Sequence, residues 1–353
     1  MNQFIELLRE HKDDLFSKHG DQLSPDKRQA VYAMLSCKNN NKRLAHWSCG
    51  HCDYQGSQAL SCGNRHCPQC QHTTTRDWLA RQQQKLLPVR YFMVTFTLPF
   101  ELRGLVKHNA KALYQMMFQV SSSAMKDFGQ RNKKGEIGFT SVLHTHNRQR
   151  EIHPHIHMIV PCGAFDKINN TWRTGSPEYL FHQQALARVW RARILEAITQ
   201  HDSLSLPHYH RHKMPTQWVV HCKKVGYGLP ALKYLSRYLY RGVISDKDII
   251  STSNGQVIFK YQDSETKTTK YRNLPTLKFL LLILQHVLPK GLQRVRDYGF
   301  LRGNAKATLF KIMIIFCRSP NWLAPKKIQK RIAIRPCPCC QQNMSCVRVT
   351  LTI

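Results

Sequence analysis

His153-Pro154-His155-Ile156-His157 sets three imidazoles at every second position within an apolar run. In a β-strand alternate side chains share a face. The three rings would then project one way, and Ile152, Ile156, Met158 and Val160 the other. A strand with an oily face backed by a histidine face is what a metal site built on a sheet needs. His144 and His146 stand in the preceding run. In an antiparallel hairpin His144 can lie across from His155 or His157. His155, His157 and His144 are therefore the candidate ligands of a divalent ion with open positions, as a catalytic ion requires. Imidazole ligation suits several divalent metals. Beside a phosphodiester, such an ion acts as a Lewis acid.

A nucleophile is available in Leu232-Lys233-Tyr234-Leu235-Ser236-Arg237-Tyr238-Leu239-Tyr240-Arg241. Tyr234 and Tyr238 are four apart, so one helix face carries both hydroxyls. Aromatic residues at helical spacing usually belong to a core, and Leu235 and Leu239 fit that role here. The tyrosines differ in their charge environment. No Asp or Glu occurs from Ser203 to Ser245, whereas Lys223, Lys224, Lys233, Arg237 and Arg241 do. A phenol with an ordinary pKa of about 10 needs a positive field or a metal to ionise near neutrality.

Six cysteines lie between residues 37 and 72. Cys49-x2-Cys52 and Cys67-x2-Cys70 read as two knuckles closing on one tetrahedral zinc ion. Cys37, His46, Cys62 and His66 are left for a second, interleaved site. A full thiolate shell leaves no place for water, so the zinc would be structural, replacing a hydrophobic core. Arg43, Arg65 and Arg76 suggest that this module also touches DNA backbone. Cys337, Cys339, Cys340 and Cys346 near the end of the sequence read either as a further zinc site or as half of a knuckle.

The elements that must carry these groups follow from periodicity. Residues 1–36 and 76–87 read as helices, and the segment up to residue 87 as a helical and zinc-binding N-terminal DNA-binding module. Residues 88–300 read as a second domain. It has strands over 91–98, 137–146, 152–161 and 217–223, helices over 101–130, 180–200 and 229–241, and a hairpin over 257–262 and 267–272. Residues 301–353 form a basic C-terminal extension with a partial cysteine cluster. The order of elements predicts an α+β fold with a largely antiparallel sheet flanked by helices.

The chain has 353 residues, with 53 Lys and Arg against 21 Asp and Glu, a formal charge of +32. Self-repulsion on this scale points to a polyanionic partner. The apolar runs at 279–284 and 312–317 are too short to span a bilayer, and no signal-peptide pattern opens the sequence. Thirteen cysteines, clustered as CxxC pairs beside histidines, fit metal ligation in a reducing cytoplasm better than a disulfide framework.

With these motifs in order, the chain resembles the HUH-superfamily transposases of rolling-circle insertion sequences, the insertion-sequence-91 type with two catalytic tyrosines. The His–hydrophobic–His element is His155-Ile156-His157. The resemblance covers nearly the whole chain. It runs from Cys62-Gly63-Asn64-Arg65-His66-Cys67-Pro68-Gln69-Cys70 through Leu143-His144-Thr145 and Tyr234-Leu235-Ser236-Arg237-Tyr238 to His286-Val287-Leu288-Pro289-Lys290-Gly291 and Arg294-Val295-Arg296-Asp297-Tyr298-Gly299. It implies an endonuclease sheet with the histidine pair on a central strand and the tyrosine helix packed over it. It implies attack of tyrosine on single-stranded DNA at element ends and target, giving a 5′-phosphotyrosine and a free 3′-OH. Carried over by position, His155 and His157 are metal ligands with His144 the third, Tyr238 and Tyr234 are the nucleophiles, and the ion is Mg2+ or Mn2+. Arg237, Arg241 and Lys233 are expected to meet DNA, Trp172, Trp190 and Trp218 are candidates for stacking on bases, and the expected location is the bacterial cytoplasm, in association with the nucleoid.

The alternative reading is a zinc-stapled DNA-binding protein, or a decayed transposase copy without catalytic activity. Such a protein has no need of the histidine strand or of Tyr238. A carboxylate-based two-metal nuclease lacks ligands, because no group of acids accompanies a motif beyond residue 160.

Overall fold

The structure is a computed structural model that describes residues 2–38, 43–70, 72–202, 204, 214–239, 243–263, 265–317 and 334–351, excepting the side chains of 72–74 and 237–239. In chain order the helices are α1 (Gln3–Glu10), α2 (Lys12–His19), α3 (Pro25–Leu35), α4 (His72–Gln83), α5 (Arg103–Lys133), α6 (Gln183–Thr199), α7 (Leu229–Leu239), α8 (Thr276–Leu284) and α9 (Lys306–Phe316). The strands are β1 (Arg43–Ser48), β2 (Gln55–Ala59), β3 (Tyr91–Thr97), β4 (Phe139–His146), β5 (Ile152–Pro161), β6 (Gly163–Asp166), β7 (Thr171–Thr174), β8 (Val220–Lys224), β9 (Ile249–Ser253), β10 (Gln256–Gln262), β11 (Thr269–Pro275), β12 (Val295–Tyr298), β13 (Arg335–Pro336) and β14 (Asn343–Leu351).

The central sheet has the order β12-β4-β5-β3-β8, and every pairing in it is antiparallel. Its middle strands read as the sequence suggests, because alternation sends one set of side chains to each face. Phe92, Val94, Phe96, Phe139, Leu143, Ile156, Met158 and Val160 join α5 and α6 in the main core. Trp190 of α6 is buried there, edge-on to Phe96 with centroids 5.2 Å apart, and its indole N–H donates to the Thr97 carbonyl. The opposite face is covered in part by α4 and α7. Leu232, Leu235 and Trp78 pack there on Tyr91, Val142 and Ile159.

The three expected segments do not each close on themselves. Phe4, Leu8, Val31 and Met34 of the N-terminal helices share one core with Ile249, Val257, Phe259, Phe279 and Leu280. The run at 279–284 is apolar for this reason: α8 is buried between the N-terminal helices and the three-stranded sheet β11-β10-β9. The C-terminal stretch is not an extension either. β14 pairs antiparallel with β1 in a sheet of order β13-β14-β1-β2. The strand expected over 217–223 begins only at Val220, and β9 was not legible as a strand. Among the described residues no helix is long and apolar enough to cross a membrane.

Candidate active site

The β4–β5 hairpin creates the site. Its turn is tied locally, with the Asn147 side-chain oxygen accepting from the Glu151 N–H at 3.0 Å and the Asn147 N–H donating to the Glu151 carbonyl at 3.0 Å. The register that follows sets His144 directly opposite His155 and Val142 opposite His157. Across the other edge of β5, Thr95 lies opposite His157 and Thr97 opposite His155. Directly opposed residues share a face, so His144, His155, His157, Thr95 and Thr97 all lie on the face that α7 crosses.

The three imidazoles converge. Ring centroids are 4.5 Å apart for His144 and His157, 5.0 Å for His144 and His155, and 4.8 Å for His155 and His157. One ring nitrogen from each can be chosen so that all lie within 4.8 Å of one another. Two rings are aimed by partners outside the triad. His155 Nδ1–H donates to the His153 carbonyl at 2.7 Å, leaving Nε2 with its lone pair. His157 Nδ1 shares a hydrogen bond of 2.8 Å with the Thr95 hydroxyl. Such contacts fix tautomer and ring direction at metal sites. Sequence reading missed Thr95. Its signal was present in the alternation of Thr95 and Thr97 with Val94 and Phe96, but the alignment of β3 with β5 was not legible.

Burial keeps these rings neutral. It lowers His155 to about 4 and His157 to about 3, with neighbouring imidazoles adding to the effect. His144 is held well below the ordinary imidazole value for the same reasons. Neutral, clustered, oriented imidazoles are metal ligands in their binding state, so the triad fits a divalent cation.

His153 and His146 do not join them. His153 Nδ1 accepts from the Arg103 guanidinium at 2.7 Å. A register shift between His144 and His146 turns His146 toward His286, with ring centroids 5.0 Å apart.

α7 delivers Tyr234. Gly228 precedes the helix at φ +83°, a conformation favoured by glycine. A Cβ there would come within 2.9 Å of the Tyr91 ring, so Gly228 also lets the helix start close to the sheet. Leu232, Leu235 and Ser236 are buried, while Lys233 and Tyr234 are exposed. The Tyr234 ring stands perpendicular to the His157 ring, 6.3 Å between centroids. Tyr238 belongs to α7 one turn further on, but its side chain, that of Arg237 and the whole of Arg241 lie outside the described residues.

The cysteines group differently from the sequence expectation. Cys37, Cys62, Cys67 and Cys70 form one set of four thiols, with Cys37 Sγ 3.2 Å from Cys70 Sγ. Cys49 and Cys52 do not meet Cys67 and Cys70; they face Cys337 and Cys340. The β1–β2 hairpin is the reason. Ala59 pairs with Leu44 at one end of the ladder and Ser48 with Gln55 at the other. At about 3.3 Å per residue, the hairpin carries Cys49 and Cys52 well away from Cys62, which follows Ala59. Neither histidine joins either set of thiols. His46 Nε2 bonds the Thr350 hydroxyl at 2.8 Å, and His66 Nε2 accepts from the Leu288 N–H at 3.1 Å.

The set at Cys37 suits a structural Zn2+. Hydrogen bonds from its neighbours, Cys67 first, hold Cys62 at about 5, while burial pushes Cys37 up to about 12. Four sulfurs so close ionise together only around a dication.

Two further expectations need correction. Arg65 does not reach outward; its guanidinium donates to the Leu288, Pro289 and Leu292 carbonyls. Trp190 and Trp218 are buried, and Trp172 packs edge-on against Phe300 and Phe316, so none offers a free ring to a base. Arg43 and Arg76 are exposed.

Two family profiles match the chain. One, described as "Transposase zinc-binding domain", covers residues 7–98, and one described as "Putative transposase" covers residues 138–308. "Putative transposase y4qJ" of Sinorhizobium fredii is 28% identical over 368 residues, covering 94% of this chain and 92% of that protein. "Transposase for insertion sequence element IS801" of Pseudomonas savastanoi pv. phaseolicola is 26% identical over 292 residues, covering 77% and 70% respectively. No solved structure matches.

Proposed function

We propose that this chain, which belongs to the transposases of the insertion-sequence-91 type, nicks single-stranded DNA and transfers the strand through a tyrosine-linked intermediate. The observation that carries this reading is the position of Tyr234, exposed on α7 and perpendicular to one of three convergent, neutral imidazoles. A DNA-binding module without catalysis has no use for that juxtaposition.

A Mg2+ or Mn2+ ion held by His144, His155 and His157 would supply Lewis-acid stabilisation of charge on the phosphoryl oxygens. Tyr234, and Tyr238 one turn along the same helix, are the nucleophiles. The phenolic oxygen bonds to phosphorus as the P–O3′ bond breaks. The phenol proton leaves, the departing strand gains a free 3′-OH, and the 5′ end stays on the tyrosine. The ester keeps the energy of the broken bond, so a second 3′-OH can attack it and release the tyrosine. A second tyrosine allows a second cut before the first end is released. Lys233, exposed beside Tyr234, offers its charge to the phosphate backbone, and Arg237 and Arg241 are assigned the same role by position. His221 lies opposite Thr95, and Lys223 opposite Met93, extending a polar strip to the open edge of the sheet.

The test is incubation with single-stranded DNA carrying the element end, with Mg2+ or Mn2+. The expected result is nicking together with a covalent adduct on the 5′ side. An adduct that still forms when Tyr234 and Tyr238 are both phenylalanine would remove the tyrosines from the reaction.

A further inference from the structure

We propose that a second zinc ion is bound jointly by Cys49 and Cys52 near the start of the chain and Cys337 and Cys340 near its end. Two of these four ligands lie beyond the zinc-binding match at residues 7–98. The four sulfurs lie within 4.8 Å of one another, with Cys49 Sγ 3.5 Å from Cys340 Sγ and Cys52 Sγ 3.6 Å from Cys337 Sγ. These separations are close to the roughly 3.8 Å edge of a tetrahedron with Zn–S bonds of about 2.3 Å. Cys49 and Cys337 are buried.

The stronger argument is that the two CxxC turns have the same internal design. The Cys49 N–H donates to the Tyr54 carbonyl at 2.9 Å, and the Cys337 N–H donates to the Gln342 carbonyl at 2.8 Å, five residues on in both cases. The residue after each turn's second cysteine is left-handed, Asp53 at φ 57° and Gln341 at φ 62°. The N–H two residues after each turn's first cysteine points at that cysteine's sulfur, from His51 to Cys49 and from Cys339 to Cys337. The second cysteines follow suit, receiving N–H groups from Tyr54 and Gln342. Two unrelated segments 285 residues apart thus acquire the same arrangement of backbone around sulfur. Each is one knuckle, and neither supplies more than half of a tetrahedral shell.

The surrounding packing needs the ion. Among the described residues only Ala45, Trp47 and Met344 lie beneath the thiols, with Leu60 at the edge, a cluster too small to hold four strands by burial alone. The β1–β14 ladder already brings residues 43–48 beside residues 345–351. A closed all-thiolate shell leaves no ligand position for substrate, so the ion acts as a clasp. Cys339 and Cys346 are exposed and stand outside it.

The test counts zinc in the purified full-length chain after dialysis, by elemental analysis. Replacing Cys337 and Cys340 by Ser should remove one zinc equivalent relative to the parent, and so should replacing Cys49 and Cys52. The quadruple variant should lose one equivalent, not two, since both pairs hold the same ion. Retention of the zinc at Cys37, Cys62, Cys67 and Cys70 reports that each variant still folds. With Co2+ in place of zinc, the tetrathiolate absorption should fall by half in all three variants. Unchanged zinc in the Cys337/Cys340 variant, or a loss of two equivalents in the quadruple variant, would overturn the shared site.

Discussion

His144 and His155 face each other across the β4–β5 ladder as a directly opposed pair, with ring centroids 5.0 Å apart. His157 joins them because it lies two residues along β5 from His155, and period two keeps both on one face. A slip of one residue in this hairpin would send the histidines into the main core and the oily face toward α7. The register of the hairpin therefore decides whether a metal can be bound.

Thr95 should matter to the metal and little to the fold. It orients His157 through a hydrogen bond of 2.8 Å. Thr95→Val keeps the shape and removes the hydroxyl. Metal affinity at the triad should fall about 10- to 100-fold, measured by Mn2+ titration. Unchanged affinity would show that the ring is held by packing alone.

The tyrosines should separate by substitution. Tyr234→Phe removes one hydroxyl from an exposed position without disturbing Leu232 or Leu235 beneath it. On the proposed mechanism Tyr238 can act in its place, so adduct formation should be reduced in Tyr234→Phe and absent in the double Phe variant, while DNA binding persists. Loss of binding in parallel with the adduct would instead make the tyrosines binding residues.

Acid should destabilise the protein. His155, His157 and His286 are lowered by burial to about 4, about 3 and about 3. The unfolded chain takes up these protons near pH 6.5, and the folded chain does so only near the lowered values. Their contribution is complete above pH 6.5 and is lost as the pH falls toward 4 and then 3, by up to about 1.4 kcal/mol per pH unit for each group. Thermal melts between pH 4 and 7.5 should show Tm falling steadily below 6.5. A Tm flat over that interval would contradict burial of the neutral rings.

Removal of zinc should reach beyond the cysteine module. Cys37 and Cys67 share a core with Ile244, Val257, Phe259 and Phe279. Chelation should raise hydrogen exchange in α1, α3, α8 and β10, and leave β3, β4 and β5 protected. Exchange confined to residues 37–72 would mean that the thiols do not support that core.

Leu235 carries α7 on the sheet and is fully buried beside Val142 and Ile159. Leu235→Ala should cost about 2–5 kcal/mol. It should also weaken adduct formation, because Tyr234 sits next to it in the helix. Denaturant melts and the adduct assay can be run on the same sample, and full activity in a destabilised variant would uncouple helix packing from chemistry.

The amino-acid sequence alone determined the α+β class, the β4–β5 hairpin, the helix bearing Tyr234 and the histidines as a set. Each of these rests on local periodicity, which a single segment carries by itself. The partnering of the cysteines was different. Cys49-x2-Cys52 and Cys67-x2-Cys70 look like a pair in sequence, yet the five-residue β2 between them holds the first away from the second and beside Cys337 and Cys340. Thr95 opposite His157, α8 against α1 and β14 against β1 are likewise contacts between distant segments. Spacing along a chain constrains which residues can meet only while the backbone between them is short. Beyond that, burial of apolar faces and strand register choose the partners, and those are properties of the folded whole.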